Sequence, residues 1–556
     1  MINDERLIYL PLGGAGEIGM NMYIYGYGSP RREKLIMIDI GVTFPQMDSS
    51  PGVELIMPDT KFIEENIERL EGIFITHAHE DHIGALGHLI EKVNVPIFCL
   101  NFTSSIASKK IEKAGFGNSS VNIVKDYQKK INLGPFSLKF IEVPHSIPEA
   151  SAILIKTPKG KILHTGDLKL DKEPVLGNPF NEKIFKEIGN EGLLALVCDS
   201  TNIFNNNSGR SETSLIRNLD LLMKQTKGVL VATTFASNIA RLITLANVAK
   251  ENGRSLLVLG RAMITMINNA KSCGILKKFP PILSAVEANE VSRRNLLILA
   301  TGSQGEYRAA SAQLSRDKYM GIELQKGDVF LFSSKTIPGN EIAVNKIINN
   351  LVSKGIEVID ENLGKYHVSG HANKPDLSIL HEATRPKVLI PMHGELRHLK
   401  AHADLAEKNG IRSKVILNGD LTEIDVNGRL NILEQVKCGR IYLDGNCLLE
   451  SQNNVVKKRL DLAMKGIINI SIIINEIDYK IEDVWIKTIG VSEKDIENNS
   501  IDTSLEEELE YYLNSLSQKS LKNDDEIDLV IRKTVNRFCK NNLGKKPVIS
   551  SFIHRI

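Results

Sequence analysis

The sequence predicts an α/β protein of several domains, in which a parallel α/β domain interrupts a mixed domain of sheet and helix. Its 556 residues exceed what one hydrophobic core usually organises. Strand-like apolar runs separated by short polar turns dominate residues 1–205, whereas helical and strand-like runs alternate from about 210 to 360. Near residue 365 the chain returns to histidine-rich strand ends like those of the first region.

The domain boundaries follow from these changes of pattern. After about residue 425 a connecting region leads to a strand-like run and two charged helical runs, which are typical of a small α/β module. The prediction is a first domain made of two stretches, 1–208 and 363–425; an inserted domain, 209–362; a linker, 426–455; and a C-terminal domain, 456–556.

Composition excludes several classes of protein. Lys and Arg total 69 against 67 Asp and Glu, so any site for a polyanion must be local. No apolar run approaches the ~20 residues of a membrane span, and the N terminus has no basic region before a long apolar core. We therefore expect a cytoplasmic protein with no membrane partner. The six cysteines form no Cys-x-x-Cys pair, which argues against a disulfide framework or a sulfur-ligated zinc site.

The most informative motif is His-Ala-His-Glu-Asp-His at residues 77–82. It follows the strand-like run EGIFIT and precedes the helical run GALGHLIEKV, so a strand-to-helix turn should carry His77, His79, Asp81 and His82. Imidazole nitrogens and carboxylate oxygens are ligands that Zn²⁺ binds. The motif therefore predicts a metal site.

Later strand ends offer the remaining ligands: His145 in VPHSIPE, Asp167 in HTGDLKLD and His393 in PMHGE. The ligands divide naturally between two ions, with His77, His79 and His145 on one, Asp81, His82 and His393 on the other, and Asp167 bridging. Ions bridged in this way lie about 3.5–4 Å apart and lower the pKa of a shared water from ~15.7 towards ~7. The arrangement predicts a hydrolase.

Together these motifs, in this order and after Asp39 in MIDIG, resemble the metallo-β-lactamase superfamily. CDSTN at 198–202, YHVSGHAN at 366–373 and the inserted domain resemble the β-CASP nucleases. The chain resembles the bacterial ribonuclease J family still more closely in GGAGEIGMN, HEDHIGAL, HSIPE, TTFASNI, ATGSQGE, SSKTIPGNE and HVSGHA. This resemblance covers residues 7 to about 400. It implies an αββα sandwich with an inserted β-CASP domain.

The resemblance also implies an activity. It implies a phosphodiesterase with two Zn²⁺ per chain, Mn²⁺ or Mg²⁺ being able to support activity, that works in rRNA processing and mRNA decay. The substrate would be single-stranded RNA, degraded 5′-to-3′ with a preference for a 5′-monophosphate and also cut internally. Further implied properties are a homodimer or homotetramer and a place in an RNA-degradation complex.

Individual roles follow from the same resemblance. Asp199 would support the metal centre, and His371 would contact the scissile phosphate and assist the leaving oxygen. With Asp81 these are the predicted catalytic residues. Small Ser and Gly side chains let backbone N–H groups approach a phosphate, and the predicted phosphate-binding residues are His367, Val368, Ser369, Gly370 and His371.

Three other functions stay open: a DNA-directed β-CASP nuclease, a small-molecule hydrolase acting on thioesters or lactams, and an RNA-binding subunit without activity. The segment 444–454 departs from the glycine-rich segment of many ribonucleases J, which leaves an accessory metal or dimer contact there open. Polar residues at predicted strand ends of the inserted domain could line the RNA path, or be ordinary turns and caps: Thr233, Ser237, Asn238, Arg261, Thr301, Ser303, Gln304 and Ser334.

Some motifs suggest other sites. Gly14-x-Gly16-x-x-Gly19 imitates a dinucleotide-binding fingerprint, but a strand-like run follows where the fingerprint requires a helix, so we predict a β-hairpin. His398 and His402 have the spacing of a helical metal pair. Their helix has the pattern of a solvent-facing one, so we expect exposed histidines. Structural roles are expected for His88, His164 and His381.

Overall fold

The computed structural model describes residues 5–46, 48–117, 120–360, 364–450, 452–494 and 498–556. The chain divides into two compact units. The first comprises the described residues up to Thr43 together with Ile56–Ile441, and the second comprises Phe44–Leu55 together with Tyr442–Ile556. Strands and helices are numbered in chain order. Their mixture confirms the predicted α/β class.

Two sheets form the centre of the first unit. Their central strands are largely apolar, as in β1, where Leu7–Gly13 are all buried on both faces of the strand. The first sheet has the order β24 (Leu430–Gln435), β23 (Asp420–Ile424), β1 (Arg6–Gly13), β3 (Met22–Gly28), β4 (Lys34–Ile38), β6 (Leu70–Phe74), β7 (Ile97–Cys99), β8 (Val121–Ile123). The second has the order β22 (Arg412–Ser413), β20 (Val388–Met392), β13 (Ala195–Asp199), β12 (Gly160–His164), β11 (Ser151–Thr157), β10 (Phe136–Glu142), β9 (Ile131–Leu133).

These two sheets pack face to face. Tyr9 and Tyr25 of the first sheet share one buried cluster with Phe140 and Val197 of the second. The outer face of the second sheet packs against α5 (Glu182–Asn190), α12 (Lys374–Thr384) and α13 (Leu396–Lys408). Further helices of this region are α1 (Lys61–Glu64), α2 (Glu80–Ile83), α3 (Leu86–Leu89) and α4 (Asn101–Lys113). The layers agree with the expected sandwich of two sheets and helices.

A third sheet is parallel throughout its described strands, as the alternating pattern predicted. Its order is β16 (Ile282–Leu283), β15 (Ser255–Leu259), β17 (Leu296–Ala300), β14 (Leu230–Thr233), β18 (Val329–Phe332), β19 (Glu357–Ile359). Helix α6 (Ile216–Gln225) precedes the first of these strands in the chain, and the helices between the strands are α7 (Ile239–Glu251), α8 (Arg261–Ser272), α9 (Ala285–Glu290), α10 (Ala310–Arg316) and α11 (Glu341–Ser353). These elements lie within the predicted insertion, 209–362. The predicted boundary at 362–363 lies outside the described residues.

The chain passes between the second and third sheets twice. The first crossover, residues 200–215, leads from β13 to α6, and the second crossover, residues 364–373, leads from the third sheet to α12. The short strands β2 (Ala15–Gly16) and β21 (Gly394–Glu395) pair in parallel beside β20. The first crossover therefore starts beside the end of β20, where His393 follows, and the second crossover contacts His145 through Gly370.

The second unit is an α/β module, as predicted. Alternate residues of its central strand, among them Ile468, Ile470 and Ile472, are buried against helix residues such as Leu505 and Ile531. The sheet has the order β28 (Ile481–Ile489), β27 (Ile467–Ile474), β29 (Val548–Arg555), and the helices are α14 (Val455–Lys465), α15 (Ile501–Asn514), α16 (Gln518–Leu521) and α17 (Asp524–Asn542). Remaining short strands are β5 (Leu55–Pro58), β25 (Arg440–Asp444) and β26 (Cys447–Glu450).

The glycine-rich segment near the N terminus is a hairpin region, as predicted. Gly14, Gly16 and Gly19 have φ of 84°, 99° and 89°, which favours glycine, and β3 follows. β3 then pairs with β4 in antiparallel register, Tyr23 opposite Ile38. The helix that a dinucleotide fingerprint needs is absent from these described residues. Among the described residues, no helix combines the length and the apolar character needed to traverse a bilayer.

Candidate metal centre

The segment 77–82 follows the first sheet directly. β6 ends at Phe74, whose carbonyl accepts the backbone N–H of Asp39 at 2.9 Å. Asp39 is fully buried with a φ of 62°, and its carboxylate accepts the backbone N–H of Thr76 at 2.7 Å and its hydroxyl at 2.8 Å. These bonds hold the turn from which the histidines project. The motif is divided between that turn and α2, because the helix already begins at Glu80.

One group of side chains brings His77, His79 and His145 together with Asp167. Nδ1 of His79 lies 3.1 Å from Nε2 of His77 and 3.1 Å from Nε2 of His145. Oδ2 of Asp167 lies 3.7 Å from each of the same two Nε2 atoms. These four residues could hold one metal ion. They are the set expected for the first ion.

A second group brings Asp81, His82 and His393 to the other side of Asp167. Nε2 of His82 lies 3.2 Å from Oδ2 of Asp167, and Nε2 of His393 lies 3.3 Å from Oδ2 of Asp81. Nδ1 of His393 lies 2.8 Å from Oδ1 of Asp167. The four residues could hold a second ion. Asp167 belongs to both groups, as a bridging carboxylate must.

The outward-facing nitrogens of these imidazoles are held by hydrogen bonds. Nδ1 of His82 lies 2.7 Å from the Asp39 carboxylate, and Nδ1 of His145 lies 2.6 Å from the carbonyl of Gly370. A carboxylate or carbonyl oxygen only accepts, so Nδ1 of each ring carries a proton and Nε2 is the nitrogen that faces inward. Partners of this kind orient metal-binding histidines and raise their basicity.

The two groups differ in their electrostatics. Burial holds the pKa of His77 and His145 well below the usual value and lowers the pKa of His79 to about 4, so these rings are neutral at pH 7. Burial also opposes the charge on His393, but the carboxylates of Asp167 and Asp81 outweigh it and raise its pKa to about 10. The carboxylates of the second group therefore favour positive charge beside them, whether from the proton of His393 or from a cation in its place.

This donor set fits divalent ions. Nδ1 of His79 lies 3.1 Å from Nε2 of His77 and from Nε2 of His145. Neutral imidazoles whose protons are donated elsewhere would direct their lone pairs at one another at this distance. A cation between them removes that repulsion. Nε2 of His393 is buried without a hydrogen-bond partner. Imidazole with carboxylate is a donor set typical of Zn²⁺.

Asp199 and His371 lie beside the second group. Oδ2 of Asp199 is 2.7 Å from Nδ1 of His371, and Oδ1 accepts the backbone N–H and hydroxyl of Thr201 at 2.9 and 2.6 Å. The His371 ring centroid is 5.1 Å from that of His145 and 5.8 Å from that of His393. The predicted catalytic histidine thus borders both ligand groups.

The predicted phosphate-binding residues form the loop that ends at His371, hereafter the 367–371 loop. Oγ of Ser369 accepts the amide of Asn202 at 2.8 Å and the backbone N–H of His371 at 3.1 Å. A Cβ on Gly370 would come within 2.8 Å of His145, so a side chain does not fit there. His367 at the other end has a buried Nδ1 without a hydrogen-bond partner. Val368 is buried.

Known families match the chain in sequence over most of its length. The matches are "Metallo-beta-lactamase superfamily" over 20–231, "Ribonuclease J, beta-CASP domain" over 227–351, "Zn-dependent metallo-hydrolase RNA specificity domain" over 355–416, and "Ribonuclease J C-terminal domain" over 454–556.

Whole-chain relatives decide the family. Ribonuclease J of Sinorhizobium meliloti is 37% identical, over 100% of this chain and 98% of that protein. Ribonuclease J of Corynebacterium glutamicum is 33% identical over 97% of this chain and 74% of its own length, and that of Helicobacter pylori B128 is 30% identical over 98% and 79%. The chain belongs to the ribonuclease J family. Family membership makes it a metal-dependent nuclease, a hydrolase that binds divalent metal.

A solved structure shares the ribonuclease J fold seen here. It is described as a protein of unknown function from Enterococcus faecalis V583, with a TM-score of 0.50 and 17% sequence identity. The match covers 77% of this chain and 100% of that one. At this identity the likeness concerns the fold alone.

One prediction about the histidines is wrong. His398 and His402 were expected to be exposed, yet both are buried on the inner face of α13. Nε2 of His402 lies 3.1 Å from Nε2 of His381, and its Nδ1 lies 2.9 Å from the hydroxyl of Ser200. The prediction was wrong because histidine was treated as a polar residue, although His398 and His402 belong to the buried face of this helix. His164 is buried, as its predicted structural role requires.

Asn21 lies beside the second ligand group, and the sequence motifs did not indicate a role for it there. Nδ2 of Asn21 lies 3.1 Å from Nε2 of His82 and donates to the backbone carbonyl of Asp81 at 3.1 Å. Tyr23 donates its hydroxyl to Oδ1 of Asn21 at 2.7 Å. The available signal was the position of Asn21 at the end of GGAGEIGMN, directly before a strand.

The polar strand-end residues of the inserted domain have mixed roles. Thr233 donates to the carbonyl of Ala300, and Asn238 caps α7. Gln304 donates to the carbonyl of Lys335 at 2.9 Å. These are structural bonds, as the alternative interpretation expected. Ser334 differs, because its buried hydroxyl has no hydrogen-bond partner.

Proposed function

We propose that this chain is a ribonuclease that hydrolyses single-stranded RNA with two Zn²⁺ bound per chain. Exonucleolytic cleavage proceeds 5′-to-3′ from a 5′-monophosphate, and internal cleavage also occurs, in RNA processing and decay. RNA lies in the cleft between the sandwich and the inserted domain. Ions occupy the two groups that share Asp167, and the 367–371 loop binds substrate phosphate.

The observation that carries this proposal is the shared carboxylate of Asp167. Its oxygens lie within 3.7 Å of imidazole nitrogens in both ligand groups. Bound there, two divalent ions supply a water of lowered pKa and neutralise charge on the phosphoryl oxygens. Relatives that match almost the whole chain carry the name Ribonuclease J. A family match to an RNA specificity domain spans the 367–371 loop.

His371 is suited to protonate the leaving oxygen. Burial opposes its positive charge, but the carboxylates of Asp199 and Asp167 outweigh this effect and raise the pKa of His371 above its usual value. Nδ1 faces Asp199, which leaves Nε2–H to donate to substrate. Asp199 thereby fixes the ring and stabilises its charge.

A time course on 3′-labelled RNA with a 5′-monophosphate or a 5′-triphosphate, alongside identical DNA, tests the proposal. We expect progressive loss from the 5′ end of RNA, faster with the monophosphate, plus internal cuts on RNA with a blocked 5′ end. Preferential cleavage of DNA would replace the assignment with a DNA-directed nuclease. Two equivalents of zinc in the purified protein are expected by elemental analysis.

Assembly is a separate aspect of the proposal. A homodimer or homotetramer and participation in an RNA-degradation complex rest on resemblance to the family. Light scattering coupled to size-exclusion chromatography tests the first, with a monomer over the working concentration range as the contradicting result. Co-purification from cells with other RNA-degrading enzymes tests the second.

A further inference from the structure

Arg241 is a buried arginine at the start of α7, in the inserted domain. Its side chain is fully buried, and its guanidinium makes an array of hydrogen bonds to residues distant in sequence. Nε and Nη2 donate to the two carboxylate oxygens of Glu212 at 2.5 and 3.0 Å. Nη1 donates to the carbonyl and hydroxyl of Ser333 at 2.6 and 2.9 Å and to the carbonyl of Tyr366 at 3.3 Å.

The partners of Arg241 lie on three separate segments. Glu212 belongs to the first crossover, Tyr366 belongs to the second crossover, and Ser333 directly follows β18. The hydroxyl of Ser333 also donates to the carbonyl of Tyr366 at 2.7 Å. One guanidinium therefore joins both crossovers to the third sheet at the edge where β18 ends.

The second crossover continues from Tyr366 straight into the 367–371 loop. The far end of this loop is attached to the metal centre, through Gly370 to His145 at 2.6 Å and through His371 to Asp199 at 2.7 Å. Hydrogen bonds therefore hold the loop at both ends, to Arg241 of the inserted domain at one end and to His145 and Asp199 of the sandwich at the other. A shift of the Tyr366 anchor would move His371 relative to Asp199.

Arginine suits this position better than lysine does. A planar guanidinium can pair bidentately with a carboxylate and still donate to carbonyls, whereas a lysine ammonium is a point charge with three donors. Arg254 offers a contrast within the same domain. It is also buried, and it donates to the carbonyls of Gly228, Leu296, Met223 and Thr226, all inside the inserted domain. Arg254 binds neither crossover through these bonds.

We propose that Arg241 is a positioning residue, which holds the 367–371 loop so that His371 meets the scissile phosphate at the metal centre. This inference rests on the proposed function. Arg241 does not touch substrate. It acts through Tyr366 and the loop, and it couples the placement of the inserted domain to the geometry of the reacting groups.

The test compares Arg241→Lys with Arg254→Lys, each assayed as full-length, zinc-loaded protein with kcat expressed per folded molecule. Misplacing a reacting group by about 1 Å costs about 100-fold in rate. We expect Arg241→Lys to lower kcat on RNA by about 10- to 100-fold with a smaller change in KM, and to retain both zinc ions. Arg254→Lys is expected to lower the unfolding temperature similarly while keeping the wild-type kcat. Equal kcat values for the two variants would overturn the inference.

A double-mutant cycle with His371→Ala shows whether Arg241 acts through the loop. Residues that act as a unit give non-additive losses. In the His371→Ala background, Arg241→Lys should cost less than about threefold, because the group it positions is already gone. If the rate losses of the two single variants multiply in the double variant, Arg241 does not act through His371 and its role is only structural.

A milder change covers the case in which Arg241→Lys does not fold. Ser333→Ala removes the hydroxyl that links Arg241 to Tyr366 and leaves the ion pair with Glu212 intact. It should lower kcat several-fold in wild type and not in the His371→Ala background. An unchanged kcat in Ser333→Ala would then overturn the inference. Wild-type protein without any RNA cleavage would instead remove the proposed function and this inference with it.

Discussion

At the scale of single residues, the candidate centre depends on how each imidazole is oriented. Asp39 accepts hydrogen bonds from Thr76 and His82 while fully buried, and burial raises its own pKa despite the opposing effect of His82. Gly370 supplies a carbonyl to His145. These outer contacts decide which nitrogen of His82 and His145 faces inward, so these rings are oriented before any ion binds.

Replacing Asp81 by Ala should abolish cleavage with little loss of stability. Its side chain, 30% exposed, faces the inner nitrogens of His82 and His393, so removing it weakens the second ion site rather than the core. Loss of several kcal/mol of charge stabilisation corresponds to more than about 1000-fold in rate. Zinc content, unfolding temperature and RNA cleavage measure the three effects.

Asp461→Ala is the matched control, because Asp461 is an exposed carboxylate of α14 paired with Lys465. It should leave zinc content and cleavage unchanged. Wild-type turnover by Asp81→Ala would remove Asp81 from the mechanism.

Replacing His371 by Ala should lower cleavage while both ions stay bound. Loss of a positioned general acid costs about 10²- to 10⁴-fold. His554→Ala, which removes an exposed histidine of β29, serves as the control and should behave as wild type. Because Asp167, Asp199, His371 and His393 also form a group that could hold an ion, loss of one zinc in His371→Ala would make His371 a ligand instead.

At the scale of elements, the centre is assembled from the ends of strands in both sheets. Segments after β6, β10, β12 and β20 and the last residue of β13 each contribute side chains, and α12 and α13 support β20 from outside. Between those helices lies the His381–His402 pair, whose stacked rings are 5.2 Å apart. This pair belongs to the support of the site rather than to either ligand group.

The His381–His402 pair should make stability depend on pH. Burial lowers the pKa of His381 to about 4, and burial followed by the charge of His381 lowers the pKa of His402 well below its usual value. Between about pH 4 and 6.5 the unfolded chain binds more protons, so stability is complete above about pH 6.5 and falls as the pH is lowered. From pH 7 to 5, His381 alone should cost about 2 kcal/mol.

Denaturant unfolding at pH 7 and 5 measures this cost, with the variant His381→Gln/His402→Gln as the reference. The wild type should lose more unfolding free energy over this interval than the variant, whatever their difference at pH 7. Parallel pH profiles for the two proteins would show that the pair does not titrate as its burial implies.

At the scale of the whole molecule, the ligand groups belong to the first compact unit. The metal-site groups found among the described residues lie between His77 and His393, whereas the second unit has its own core of β27–β29 and the helices α15, α16 and α17. Ion binding should therefore stabilise one unit selectively. A ligand at 1,000 times its dissociation constant stabilises the state that binds it by about 4 kcal/mol.

Chelation should lower hydrogen-exchange protection in the first unit and leave β27–β29 unchanged. Peptides that contain His77, His79 and His145 should lose most protection, because their inner nitrogens would face one another without a cation. Adding zinc should restore it. Equal deprotection of both units, or none, would contradict a metal-stabilised first unit.

Sequence patterns alone were enough to predict the α/β class, the parallel insertion, the terminal module and the residues that now converge around Asp167. The patterns succeed there because strand and helix periodicity is local, and because the ligands sit in short motifs at strand ends. Their roles as ligands stay predictions until an ion is measured.

Tertiary structure alone decided which residues meet. The burial of His398 and His402, the place of Asn21 beside His82, and the link from Arg241 to Tyr366 join residues far apart in the chain. The local periodicity of the sequence cannot predict such contacts, because they depend on which faces of distant elements pack together. A polar residue on a helix is buried or exposed according to the partner that covers it, and that partner is chosen by the fold.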